Sequence, residues 1–230
     1  MTTAPVTNFF LVPAPLSVLA LLGAAGLLAL ALASGAWAAL SRRARLARRL
    51  LLGGVAVVLV YGAALVGVGL ATPQRELPVG AEKFFCEIDC HLGYAIEAAA
   101  PVPADDRSPG ADLWTVTVRT RFDPRTTAPW RPREAPLFPN PRRAWVADAA
   151  GNRYPRSTLA ERDLPPAEGL RDWTSPLVPG ESYRTRLAFV LPRGARPTRL
   201  LIEIPDWMER LLVGDEASPF AGRVWLRLPD

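Results

Sequence analysis

The sequence predicts an all-β fold, an antiparallel β-sandwich, preceded by a transmembrane helical hairpin. Three observations carry this: two long uncharged apolar runs, a short arginine-rich linker between them, and alternation of apolar and polar residues through the rest of the chain. The expected divisions are 1–15 as a short exterior tail, 16–71 as the hairpin with its linker at 41–49, 72–80 as a connection and 81–230 as the sandwich.

The first apolar run extends from Leu16 to Leu40 and the second from Leu50 to Ala71. Each reaches the ~20 residues that a helix needs to cross the hydrocarbon core. Thr72-Pro73 ends the second, because proline cannot continue a helix. The flank before Leu16 carries no positive charge, and the run is far longer than a signal-peptide core, so an uncleaved anchor is expected. Ala25, Ala29 and Ala33 recur every four residues, as do Ala63 and Gly67, a spacing that lets backbones approach closely in a hairpin or a dimer. Neither run holds Asp, Glu, Lys, Arg or His, so these helices alone are not expected to form a proton or ion path.

The linker contains Arg42, Arg43, Arg45, Arg48 and Arg49. Arginine beside a span stays on the cytoplasmic side, which sends both termini outside. The expected location is the bacterial cytoplasmic (inner) membrane, with two helices and the C-terminal domain outside. The chain has 27 basic and 22 acidic residues; without the five linker arginines, 22 of each remain. The net charge of +5 is therefore a topology signal rather than a nucleic-acid stripe, and no nucleic-acid partner is expected. Lys83 is the only lysine and is given no functional weight.

Beyond the hairpin, Trp114, Val116, Val118 and Phe122 share one side of a strand over Leu113 to Phe122. Tyr183, Thr185, Leu187, Phe189 and Leu191 repeat that period, with Arg184 and Arg186 on the opposite side. Leu200, Ile202 and Ile204 form another strand, and Val224, Leu226 and Leu228 the last. Further strands are expected at Glu82 to Ile88, Leu92 to Ala99 and Arg143 to Asp148, with a hairpin turn at Asp148 to Asn152 leading to Tyr154. The one helical candidate runs from Asp206 to Leu212 with Asp206 as its cap. The proline-bearing stretches Asp123 to Pro141 and Leu159 to Trp173 are expected to be loops.

Leu177-Val178-Pro179-Gly180-Glu181-Ser182, followed by Phe189-Val190-Leu191-Pro192, resembles the ending of a telokin-like immunoglobulin sandwich of the DUF4352 type. Val146 to Tyr154 resembles that family's hairpin. The resemblance covers roughly Leu113 to Ile204 and implies an exported, immunoglobulin-like fold. Its motifs are turn chemistry, so it implies nothing about activity.

Phe84-Phe85-Cys86-Glu87-Ile88-Asp89-Cys90-His91 holds both cysteines and the only histidine. In an oxidising compartment the two cysteines are expected to pair. Residues four apart in a straight strand are ~13 Å from each other, while a disulfide needs Cα atoms within ~7 Å, so pairing requires a turn at Glu87 to Asp89. The alternative is a copper or haem c site built from Cys86, Cys90, His91 and Met208, because thiolates and imidazole suit Cu(I) and a His/Met pair suits haem. A dinuclear copper centre would need a second histidine. Thioredoxin-type exchange would need Cys-x-x-Cys on a βαβ scaffold, which this sequence does not suggest.

Trp114 and Trp145 are expected in the core, while Trp130, Trp173 and Trp207 are possible partner contacts. Asp105-Asp106 and Asp215-Glu216 read as solvated turns. No phosphate loop, Ser/His/Asp set or zinc pattern is recognisable, so no enzyme and no cofactor is expected. The sequence points to a non-enzymatic binding or accessory module whose partners are membrane lipid and another membrane or periplasmic protein.

Overall fold

The computed structural model describes residues 6–86, 91–103, 110–126, 132 and 134–229. By packing, the chain forms two compact units. One comprises residues up to 8, 74–205 and 223–230; the other comprises 9–73 and 206–222. This departs from the expected tail at 1–15 and unbroken domain at 81–230. Residues 6–8 join the sandwich, and 206–222 leave it to pack with the helices.

The helical unit contains α1 (Ala14–Leu40) and α2 (Ala44–Ala71), both long and apolar enough to cross a membrane. Pro13 and Pro15 start α1 where missing amide donors do no harm. Between the helices only 41–43 remain as a turn, so Arg45, Arg48 and Arg49 ride on α2 rather than in a loop of 41–49. Cations at a helix N-terminus oppose the macrodipole. Their placement thus works against helix stability. All five arginines are exposed, Arg42 lies at φ 56°, and the Arg43 guanidinium sits 5.4 Å from the Trp37 ring.

The helix seam is not the stripe the spacing suggested. Ala25, Ala29, Ala33, Ala63 and Gly67 face outward, and a side chain at Gly67 would meet nothing. The close approaches are elsewhere. A Cβ on Gly35 would lie 3.2 Å from Leu51, and one on Gly54 would lie 3.3 Å from Ala31. Residues 47, 50, 54, 57, 61, 65 and 68 turn inward on α2, a three-four spacing that keeps one face on its neighbour. The four-residue stripe drifts off that seam because it ignores the 3.5-residue repeat of packed helices.

The sandwich unit has two five-stranded sheets. Its strands are β1 (Val6–Thr7), β2 (Arg75–Leu77), β3 (Lys83–Phe85), β4 (Leu92–Pro101), β5 (Ala111–Phe122), β6 (Arg143–Asp148), β7 (Arg153–Pro155), β8 (Ser182–Pro192), β9 (Pro197–Glu203) and β10 (Val224–Arg227). The first sheet has the order β1-β3-β4-β5-β8 and the second β2-β10-β9-β6-β7. Both are mixed, because β1 runs parallel to β3 and β2 parallel to β10. A purely antiparallel sandwich is thereby corrected. The remaining ladders are antiparallel.

Alternation gave the correct inner face. Val116, Val118 and Phe122 of β5 and Leu187, Phe189 and Leu191 of β8 are almost fully buried, with Leu200, Ile202, Val224 and Leu226 on the second sheet. Trp114 and Trp145 are only half-buried, against expectation. The opposite face of the second sheet carries a smaller cluster of Ala147, Leu201 and Trp225, with Trp145 packed against it. The Arg199 and Arg153 guanidinium groups lie 4.6 and 5.2 Å from the Trp225 ring and cover it. Ile204 falls just beyond β9.

Asp148 to Asn152 forms the expected turn. Gly151 adopts φ 88°, and the Asp148 carboxylate accepts from the Asn152 amide and the Tyr154 hydroxyl. The stretch Leu159 to Trp173 is not all loop. A short helix, α3 (Thr158–Asp163), begins it, and Ser157 caps it by accepting from the Ala160 amide. Asp123 to Pro141 begins with one 3-10 turn at Pro124–Thr126. The expected helix at 206–212 is a single 3-10 turn, Met208–Leu211, whose Met208 amide donates to Asp206.

Candidate functional site

Two features of the sandwich bring charged and aromatic side chains together. The first is the cysteine-bearing strand. Along Lys83-Phe84-Phe85-Cys86 every residue is buried, because β3 is covered on both sides. Lys83 is wholly buried, and its ammonium donates to the carbonyls of Ile202 at 2.8 Å and Val224 at 3.1 Å. These acceptors lie on β9 and β10 of the opposite sheet. The same ammonium is 4.8 Å from the Phe85 ring, and the Arg142 guanidinium is also 4.8 Å from that ring. Phe85 meets Tyr94 edge to face at 5.5 Å, and Tyr94 meets Trp173 edge to face at 6.4 Å.

The expected sulfur and imidazole groups lie nearby in the chain but show no assembled ligand set. Cys86 is buried, and its amide donates to the Asn8 side chain at 2.8 Å. His91 is buried with its ring 5.1 Å from that of Phe122. Cys90 lies outside the described residues, so the pairing expected for it with Cys86 is not observed either way. Met208 belongs to the helical unit, where its side chain is exposed. Among the described residues no group of three His, Cys, Asp or Glu side chains is placed to hold a metal ion.

The second feature is a polar groove of about 550 Å³ between α3, the segment 164–175 and β8. Trp173 forms part of its lining and is only 4% exposed, which corrects its expected role as an exposed partner contact. The burial has a local cause. The Tyr183 hydroxyl donates to the Trp173 carbonyl at 2.8 Å, and Leu170 pairs with Arg184 of β8, so the segment is drawn onto the strand. The Arg156 guanidinium stacks 5.0 Å from the Trp173 ring and is held by two 2.7 Å bonds to Glu161. Arg171 bonds Glu181 at 2.7 Å, and Arg186 donates to the Pro165 carbonyl. The Val178 amide, followed by Arg171, holds the Glu181 carboxyl below the usual carboxylate range. The groove thus presents three preoriented guanidinium groups beside a tryptophan. Its signal in the sequence is the series Arg156, Arg171 and Arg186 around Pro165-Pro166.

On the outer face of the first sheet, Glu82 is gripped by Arg121 and Arg119, and Glu97 by Arg119 and Arg184. This ladder links β4, β5 and β8 and is structural. Of the other tryptophans considered, Trp207 is 68% exposed and Trp130 lies outside the described residues. Asp215 and Glu216 are buried, not solvated; Asp105 and Asp106 lie outside the described residues.

Comparison with known proteins adds little. No family model matches the chain, so the DUF4352 resemblance gains no support there, and no curated protein matches. Among solved structures, the 1.5 Å crystal structure of MPT63, a secreted protein from Mycobacterium tuberculosis, is similar over 67% of this chain and 97% of that one, with 12% identity and a TM-score of 0.40.

Proposed function

We propose that the protein is a membrane-anchored, extracytoplasmic binding or accessory module, non-enzymatic, acting through contacts with another membrane or periplasmic protein. One observation carries the anchoring. Val6–Thr7, which precede both helices, pair with Lys83 and Phe84, which follow them, inside one compact unit. A chain that leaves and re-enters the same sandwich across two membrane-length helices has both ends of its hairpin on one side. The arginine turn selects the other side as cytoplasmic. In that location Cys86 and Cys90 form a disulfide, and the sandwich is immunoglobulin-like.

The groove beside Trp173 is the binding surface in this reading. Its arginines are oriented by Glu161, Glu181 and the Pro165 carbonyl rather than free to rearrange, and arginine held ready in this way is enriched at interface hot spots. The cysteine-bearing strand serves structure, since Lys83 and the Cys86 amide are satisfied by the domain's own backbone and Asn8.

The test is photocrosslinking in native membranes with the full chain. A photoreactive residue replaces exposed Asp172 in the groove or exposed Arg143 on the second sheet. A discrete protein adduct from position 172 and none from 143 supports the reading. Adducts from 143 alone, or from neither, contradict it.

A further inference from the structure

The segment 206–222, inserted between β9 and β10, has the polarity of an element that does not face water. Asp215, Glu216 and Ser218 are inside, 1%, 3% and 2% exposed, while Glu209 is half-buried and Asp206 exposed. Four of its large apolar side chains are outside, Trp207 at 68%, Met208 at 49%, Leu211 at 37% and Phe220 at 71% exposure, while Leu212 and Val213 pack inward. An exposed group of large apolar side chains around buried acids marks an interaction surface rather than an ordinary solvated loop.

The segment is bound along the helices of its own unit. The Phe10 amide donates to the Gly214 carbonyl at 2.9 Å, and the Ser17 hydroxyl of α1 donates to the Val213 carbonyl. On α2, the Tyr61 hydroxyl donates to the Leu211 carbonyl at 2.6 Å, and the Pro219 carbonyl lies so close to Gly69 that no Cβ would fit there. Tyr61 is ten residues from the end of α2, about 15 Å along the axis at the helical rise. The segment therefore lies beside the outer half of α2 and does not merely cap its end. Leu59, Val60 and Leu70 on that half are also exposed, so the apolar surface of the segment continues that of the span. Phe220 adopts φ 65°, a conformation unfavourable for a bulky residue, with its ring directed away from burial.

We infer that residues 206–222 form a third membrane element, a wedge whose Trp207, Met208, Leu211 and Phe220 side chains lie among the acyl chains and headgroups of the outer leaflet. Arg210, exposed on the same segment, extends to lipid phosphates. Amphipathic tryptophan suits the boundary between chain and headgroup. Burial of Asp215, then the charge of Glu209, pushes its carboxyl well above the usual carboxylate range. The inference rests on the two-span reading above.

The experiment uses the full chain reconstituted in phosphatidylcholine vesicles, with or without bromine on the acyl chains near the glycerol. Tryptophan emission is compared for the parent protein, Trp207→Phe and Trp37→Phe. Trp37 is exposed on α1 and reports the span itself. The wedge predicts that bromine removes most of the Trp207 emission, so the quenchable share falls in Trp207→Phe and also in Trp37→Phe. If it falls in Trp37→Phe alone, the spans stand and the wedge fails, leaving a protein as the occupant of the patch. If it falls in neither, the spanning reading fails and the wedge with it.

Discussion

The Lys83 ammonium donates to the Ile202 carbonyl at 2.8 Å, so the only lysine of the chain ties a strand of one sheet to a strand of the other. An ammonium suits this position because it is compact and has three donors, whereas a guanidinium needs a planar fork of acceptors. In a chain whose other cations are all arginine, that distinction has a structural reason.

Lys83→Met keeps most of the volume but leaves the Ile202 and Val224 carbonyls without this donor. Hydrogen bonds to a charged group contribute about 1.5–3 kcal/mol each, so a loss on the order of 2–4 kcal/mol is expected. Thermal unfolding of the detergent-solubilised full chain measures it; an unchanged midpoint would show that the tie contributes nothing.

Gly69 and Gly67 make a matched pair. Gly69→Ala drives a methyl into the Pro219 carbonyl, while Gly67→Ala meets open space. Overpacking of this kind costs about 1–3 kcal/mol. The first variant is expected to be less stable, with greater protease cleavage within 206–222, and the second to match the parent. Equal behaviour of the two would contradict the close approach.

Two aspartates give opposite pH dependences. The Arg125 side chain, its amide and the Arg121 charge hold Asp123 at about 2, below its ordinary 3.8. Its stabilisation is present above the ordinary value and is lost as pH falls toward 2; with Arg125 exposed to solvent, it amounts to about 1 kcal/mol. Asp215 is shifted upward by burial and by Glu209, so its contribution is present at low pH and is lost as pH rises through the raised value. Unfolding midpoints across pH should show Asp123→Asn flattening the acid limb and Asp215→Asn flattening the decline toward neutrality. Parallel curves for parent and variants would remove both assignments.

The long strands β5 and β8 were legible because eleven or twelve residues of alternation leave no other face to bury. β1 and β2 were not, since two or three residues carry no period and their parallel pairing depends on the distant β3 and β10. Ser157 before Thr158 was a readable cap for α3, hidden by the prolines that follow. Lys83 was legible only by its uniqueness, since its acceptors are more than a hundred residues away. Trp173 was misplaced because burial of a loop tryptophan depends on Tyr183 and Arg156, which no local pattern reveals. The two long apolar helices were plain from composition, but their seam was not, because an alanine-rich helix offers small residues on every side.

The central claim is that the sandwich stands outside and the arginine turn inside, which impermeant maleimide labelling of single introduced cysteines in intact spheroplasts tests most directly. Ala149→Cys lies in the exposed β6–β7 turn and Ser41→Cys in the exposed helix turn. The account predicts that Ala149→Cys is labelled in intact cells and Ser41→Cys only after lysis, with the unsubstituted protein as background. Labelling of Ser41→Cys in intact cells, with Ala149→Cys protected, would contradict it.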